Sequence, residues 1–60
     1  MTLQDLHKYC VEKSKQHPEL SIDIHSFYEL AEMEVQDGGS VEHECALAIS
    51  DIDELIKENL

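Results

Sequence analysis

His7 and Cys10 stand three positions apart, and His43, Glu44 and Cys45 are contiguous, so groups able to ligate a metal recur at two places. A structural zinc site wants four such ligands in a tetrahedron, usually from paired short spacings. On a helix, consecutive residues diverge by about 100° while residues three apart share a face. Only His7 with Cys10 makes a usable half-site on that count. His43-Glu44 also lacks the second histidine, four positions on, that a zinc-protease helix requires. Both cysteines fall on apolar stripes, where a free thiol behaves as a small buried hydrophobe. The expectation is two packed thiols, with no metal and no cofactor.

Other chemistries find less. A nucleophilic cysteine or serine needs a nearby base that a third group orients, and no spacing singles out such a set. Both glycines, Gly38 and Gly39, are spent on one turn, leaving no loop to cradle phosphate. Acids two positions apart, as in Glu32/Glu34, Glu42/Glu44 and Asp51/Asp53, lie on different sides of a helix and form no acid–base dyad. A chain of 60 residues also has little room for a pocket of a few hundred Å³. The reading is non-enzymatic.

What stands out is where the charge lies. Residues 1–20 balance Asp5, Glu12 and Glu19 against Lys8, Lys13 and Lys15. The remaining eleven of the 14 acids face Lys57 alone, so the whole net charge of −10 sits in residues 21–60. This exceeds the magnitude of about 2–8 that keeps a small domain dispersed, and like charge held together costs stability. With four lysines and no arginine, the chain has no footprint for phosphate backbones or anionic membranes. A basic protein surface is the partner that such a field attracts. No basic run followed by an apolar stretch opens the chain, which reads as cytoplasmic with reduced thiols.

The elements that carry these groups follow from two breaks, His17-Pro18 and Asp37-Gly38-Gly39-Ser40. The first segment opens with Thr2 as N-cap and Asp5 as an imperfect capping-box partner. Its thin stripe is Leu3, Leu6 and Cys10, flanked by Val11, so it is expected to lie over the other two. The second begins near Pro18–Asp23 with Ser21 or Asp23 as cap and runs to about Gln36. Leu20, Ile24, Phe27, Tyr28, Ala31 and Val35 share its core face at helical spacing. The third starts at the N-cap Ser40, with Glu42 and Glu44 in the first turn. Val41, Cys45, Ala48, Ile49, Ile52, Leu55 and Ile56 form its stripe. Helices joined by a two-glycine turn form an antiparallel hairpin. The predicted fold is all-α: one domain, residues 1–60, a three-helix bundle in which helices two and three make the hairpin.

Four large apolar residues fall off these faces. Ile22, Leu30 and Met33 form a second stripe on helix two, and Leu47 stands among His43, Glu54 and Glu58 on helix three. With Glu42, Glu44, Asp51, Asp53, Glu54 and Glu58, they are the candidate partner-binding residues. A homodimer through the apolar stripe would add burial that so short a chain lacks.

The stretch Asp37-Gly38-Gly39-Ser40-Val41-Glu42-His43-Glu44, followed by Ile49-Ser50-Asp51-Ile52-Asp53-Glu54-Leu55-Ile56, resembles small uncharacterised acidic proteins of tailed bacteriophages. It covers the last third of the chain and brings no functional residues with it. The resemblance implies no known activity; it points to a phage-encoded accessory protein of host cytoplasm, a kind that often binds and inhibits a host protein. The combined expectation is an acidic protein-binding module, inhibiting a basic host protein that handles nucleic acid. The competing expectation is a small structural or metal-stabilised helical domain.

Overall fold

The computed structural model describes all residues 1–60. Three helices, α1 (Leu3–Gln16), α2 (Ser21–Gln36) and α3 (Val41–Glu58), form an all-α bundle without strands, and a 3₁₀ turn at Pro18–Leu20 links the first two. The bundle measures 34 × 18 × 17 Å, with its long axis along the helices. The closest packing is between α2 and α3, and α1 lies chiefly on α2. Cys10 meets Ile24, and His7 meets Tyr28, so α1 and α2 are antiparallel. Thr2 meets Cys45, and Tyr9 meets Asp53, so α1 and α3 run parallel.

Each helix starts and stops for a local reason. At α1 the capping box is complete: the Asp5 amide donates to Thr2 Oγ1 at 3.1 Å, and the Thr2 amide donates to Asp5 Oδ2 at 3.0 Å. The shorter aspartate thus reaches where a glutamate is usual. α2 corrects the expected cap. Ser21 lies inside the helix, Asp23 lies in its first turn, and no side chain caps it. The 3₁₀ turn removes the need, because the amides of Leu20 and Ser21 already donate to the carbonyls of His17 and Pro18. At α3 the His43 amide donates to Ser40 Oγ at 3.3 Å.

The turn between α2 and α3 is a Schellman closure. The Gly39 amide reaches the Glu34 carbonyl at 2.8 Å and the Gly38 amide reaches Val35 at 3.0 Å. Gly38 adopts φ +101°, which side chains of L residues rarely occupy. A Cβ on Gly39 would stand 2.8 Å from the Glu34 carbonyl oxygen. Both glycines are therefore required, each for its own reason.

Eight residues are buried, and all are apolar: Leu6, Cys10, Leu20, Ile24, Ala31, Cys45, Ala48 and Ile52. Every one lies on a stripe read from the sequence. Leu3, Phe27, Tyr28, Val41, Ile49, Leu55 and Ile56 pack half-buried around them, joined by Tyr9. Ala31 and Ala48 are the small residues of this set. Their methyl groups let α2 and α3 approach closely along the seam that the candidate site uses.

Candidate functional site

The metal-ligand pairs separate in the fold. Cys10 points into the core with its thiol toward the Ile24 carbonyl, 3.9 Å away, and Cys45 points to the Thr2 carbonyl at 3.8 Å. Burial pushes both thiols up from the ordinary cysteine value, so neither is a ready thiolate or ligand. His7 instead lies exposed with its ring 5.2 Å from Tyr28, edge to face, and 6.1 Å from His25. No three histidine, cysteine or carboxylate side chains converge in a metal-binding arrangement.

The ten candidate partner-binding residues divide into three groups. The first is a notch on the α2–α3 seam. Leu30 and Leu47, 56% and 47% exposed, line one cavity of about 70 Å³ together with Phe27, Ala31 and Ala48. Glu44 and Asp51 line the same cavity. They stand one turn before and one turn after Leu47 on α3. An apolar slot thus has a carboxylate at each end of one wall. The antiparallel register brings Leu30 to Leu47, although they stand on different helices and neither belongs to a core stripe.

The second group lies along the outer side of α3. Asp53, Glu54 and Glu58 surround Lys57 in an open surface hollow. Asp53 has an internal role as well, because it accepts a hydrogen bond from the Tyr9 hydroxyl and ties α1 to α3. The Tyr9 pKa is pushed up to about 12, first by burial and then by this carboxylate. Lys13 adds a cation 5.4 Å from the Tyr9 ring centre. Glu42 is likewise engaged, 2.8 Å from the Met1 amine.

The third group, Ile22 and Met33, lies on the outer face of α2. Ile22 is 86% and Met33 58% exposed. Ile22 is eight residues before Leu30, about 12 Å along the axis, and it takes no part in the notch.

Electrostatically, the site is almost uncompensated. The ion pairs of the fold are Met1 amine with Glu42 and His17 with Glu19, the latter at 3.9 Å and ionic only when His17 is protonated. No lysine pairs with any carboxylate. No ion pair within this chain therefore engages Glu44 or Asp51 beside the exposed leucines, nor Glu54 and Glu58 farther along α3.

Comparison with protein families, curated proteins and solved structures finds no match. The functional reading rests on this geometry and on the sequence.

The sequence picked out Leu30, Leu47, Glu44 and Asp51 without placing them together. It passed over Phe27, Ala31 and Ala48 as site residues, because from periodicity alone they belong to the core. It also passed over Tyr9, whose polar tip and position off the stripe were the available signal for an interhelical tie. No helix is long and apolar enough to cross a membrane.

Proposed function

We propose that the chain is a non-enzymatic, acidic protein-binding module of the cytoplasm, and that its α2–α3 side engages a basic surface on a partner protein. The observation that carries this reading is the pairing of exposed leucines with unneutralised acids. An acidic face held only for dispersal needs no apolar slot within it, and exposed apolar residues that meet across a seam mark interaction sites more often than lone ones do. Complementary charge gives fast, salt-sensitive encounter, and the apolar contact gives lifetime.

The specific form is inhibition of a host protein that handles nucleic acid, through occupation of its basic groove by a negative surface. The charge distribution and the resemblance to phage accessory proteins both support it. The test is capture from a bacterial lysate by the wild-type chain and by a variant carrying Asp51→Lys, Glu54→Lys and Glu58→Lys. A specific basic protein is expected with the wild type, lost with the variant and displaced by added DNA. Capture that survives the reversal, in a variant of unchanged helicity, refutes the acidic-face reading.

A second reading, self-association, has its own observation in the outer face of α2, where Ile22 is 86% exposed. Two copies packed along Ile22, Ser26, Glu29 and Met33 would bury it. Sedimentation across a concentration series decides this: a rising mass that Ile22→Gln abolishes supports the dimer, and a constant monomer mass removes it.

A further inference from the structure

We infer that the α2–α3 notch takes a cationic amphipathic helix, which lodges one aliphatic side chain between Leu30 and Leu47 while lysines or arginines flank it toward Glu44 and Asp51. The inference rests on the reading of this chain as an acidic binding module, and it names the chemistry of the partner segment.

The size of the slot comes first. A cavity of about 70 Å³ admits the end of one aliphatic side chain and excludes an aromatic ring or a drug-sized ligand. Five of its seven lining residues, Phe27, Leu30, Ala31, Leu47 and Ala48, are apolar, and the other two are Glu44 and Asp51. The aliphatic stem of a lysine would fit less well, since its ammonium would have to stay in this apolar space or snorkel out of it.

Charge then fixes what flanks the anchor. Glu44 and Asp51 are seven residues apart on α3, two turns or about 10 Å along the axis. A helix laid along the seam presents side chains one turn before and one turn after its anchor at the same separation. Positive residues at those positions therefore meet both carboxylates at once. Glu54 extends the acidic line one turn past Asp51, and no cation of this chain occupies any of these carboxylates. The pattern is helix-in-groove recognition with a single central anchor.

The same charges exclude a second copy as the occupant. A twofold pairing at the notch would set Glu44 and Asp51 of each chain against the acids of the other, with Lys57 as the lone α3 cation to relieve them. Like-charge juxtaposition of this kind opposes a wrong partner strongly.

The experiment uses the full chain and two labelled synthetic peptides of identical composition. One is a lysine–leucine peptide with its leucines along one helical face, and the other is the same composition scrambled so that no face forms. Binding is followed by fluorescence anisotropy, and the contacted residues by amide chemical shifts. The amphipathic peptide is expected to bind at least roughly tenfold tighter, since one buried leucine supplies that factor. Its shifts should centre on Phe27, Leu30, Ala31, Leu47 and Ala48. Leu30→Gln and Leu47→Gln, both at exposed positions, should each remove roughly that tenfold, while Ile22→Gln leaves it intact.

Equal binding of the two peptides, or insensitivity to both leucine substitutions, overturns the notch inference while the acidic module stands. Failure of both peptides to bind at low salt overturns the module reading as well. Concentration-dependent dimerisation that Leu47→Gln abolishes would assign the notch to a second copy and overturn the inference on its own.

Discussion

Ser14 carries a buried hydroxyl with no hydrogen-bond partner, on the one helix whose apolar stripe runs out early. A buried polar group left unpaired costs about 1–3 kcal/mol, and alanine is also the better helix former. Ser14→Ala should therefore stabilise the protein by about 1 kcal/mol, read as a higher urea midpoint at unchanged slope. A lower midpoint would show that the hydroxyl finds water. The other residue-scale expectation concerns alkali. Tyr9, at about 12, and Tyr28 both have raised pKa values, each chiefly through burial, and the Cys10 and Cys45 thiols are raised likewise. A group whose folded pKa exceeds its unfolded one contributes stability that is complete below the unfolded value and lost as pH rises through the folded one. For the tyrosines the window opens at 10.0 and for Tyr9 it closes near 12; for the thiols it opens at 9.0. Unfolding free energy should thus fall steadily above pH 9, and Tyr9→Phe should flatten the part between pH 10 and 12. An unchanged profile in that variant would dissociate Tyr9 from the effect.

The elements owe their ends to a few backbone bonds. Thr2→Ala removes the acceptor for the Asp5 amide and should cost about 0.5–2 kcal/mol. Asp5→Asn removes the carboxylate of the same box, and its cost should shrink in acid, because the Thr2 amide, and after it the Thr2 side chain, hold the Asp5 carboxyl below its usual 3.8. A depressed carboxylate contributes stability above its unfolded pKa and loses it as pH falls through the folded one. Denaturant midpoints of wild type and Asp5→Asn, compared at neutral pH and below pH 3.8, should converge. The hairpin turn offers a sharper contrast. L-alanine at Gly38 meets no atom but must take φ +101°, a conformation that costs of order 1–2 kcal/mol for an L residue. D-alanine there, introduced by chemical synthesis, adopts positive φ without strain and should be neutral or stabilising. L-alanine at Gly39 fails for the other reason, contact with the Glu34 carbonyl. If both enantiomers at position 38 destabilise equally, backbone handedness is not what glycine supplies at that turn.

At the scale of the whole molecule, one quantity acts in two directions. The net charge of −10, with no lysine–carboxylate pairs to relieve it, repels itself within a bundle only 17–18 Å across its short axes. Added sodium chloride shortens the Debye length from about 30 Å at 0.01 M to about 8 Å near 0.15 M. The melting temperature should therefore rise with salt over that range, measured by circular dichroism. Binding of a basic partner should weaken over the same range. A protein whose fold tightens while its complex loosens is the signature of charge retained for encounter. A melting temperature that does not move would mean that the acids are spaced widely enough to ignore one another.

Much of this was legible along the chain. The eight core residues fall on the three helical stripes because burial of one face requires apolar groups at that period. Gly38-Gly39 and Thr2 announce their turn and cap because few residues satisfy those backbone demands. The start of α2 was not legible at Ser21, since the 3₁₀ turn at Pro18 had already supplied carbonyl partners that no local cap preference reveals. The site was legible only as separate parts. Periodicity marks Leu30 and Leu47 as off the core and marks Glu44 and Asp51 as charged, each relative to its own helix axis. Their meeting depends on how α2 and α3 slide and rotate against each other, which the small contacts at Ala31 and Ala48 decide. The sequence by itself thus determined three helices, their inward faces and a negative outer surface. Only tertiary packing decided that Asp53 is tied to Tyr9, that Ile22 stands apart, and that two exposed leucines close on a slot between carboxylates. Helical period is a local property of the chain, whereas the register between helices is set by contacts between residues far apart in it.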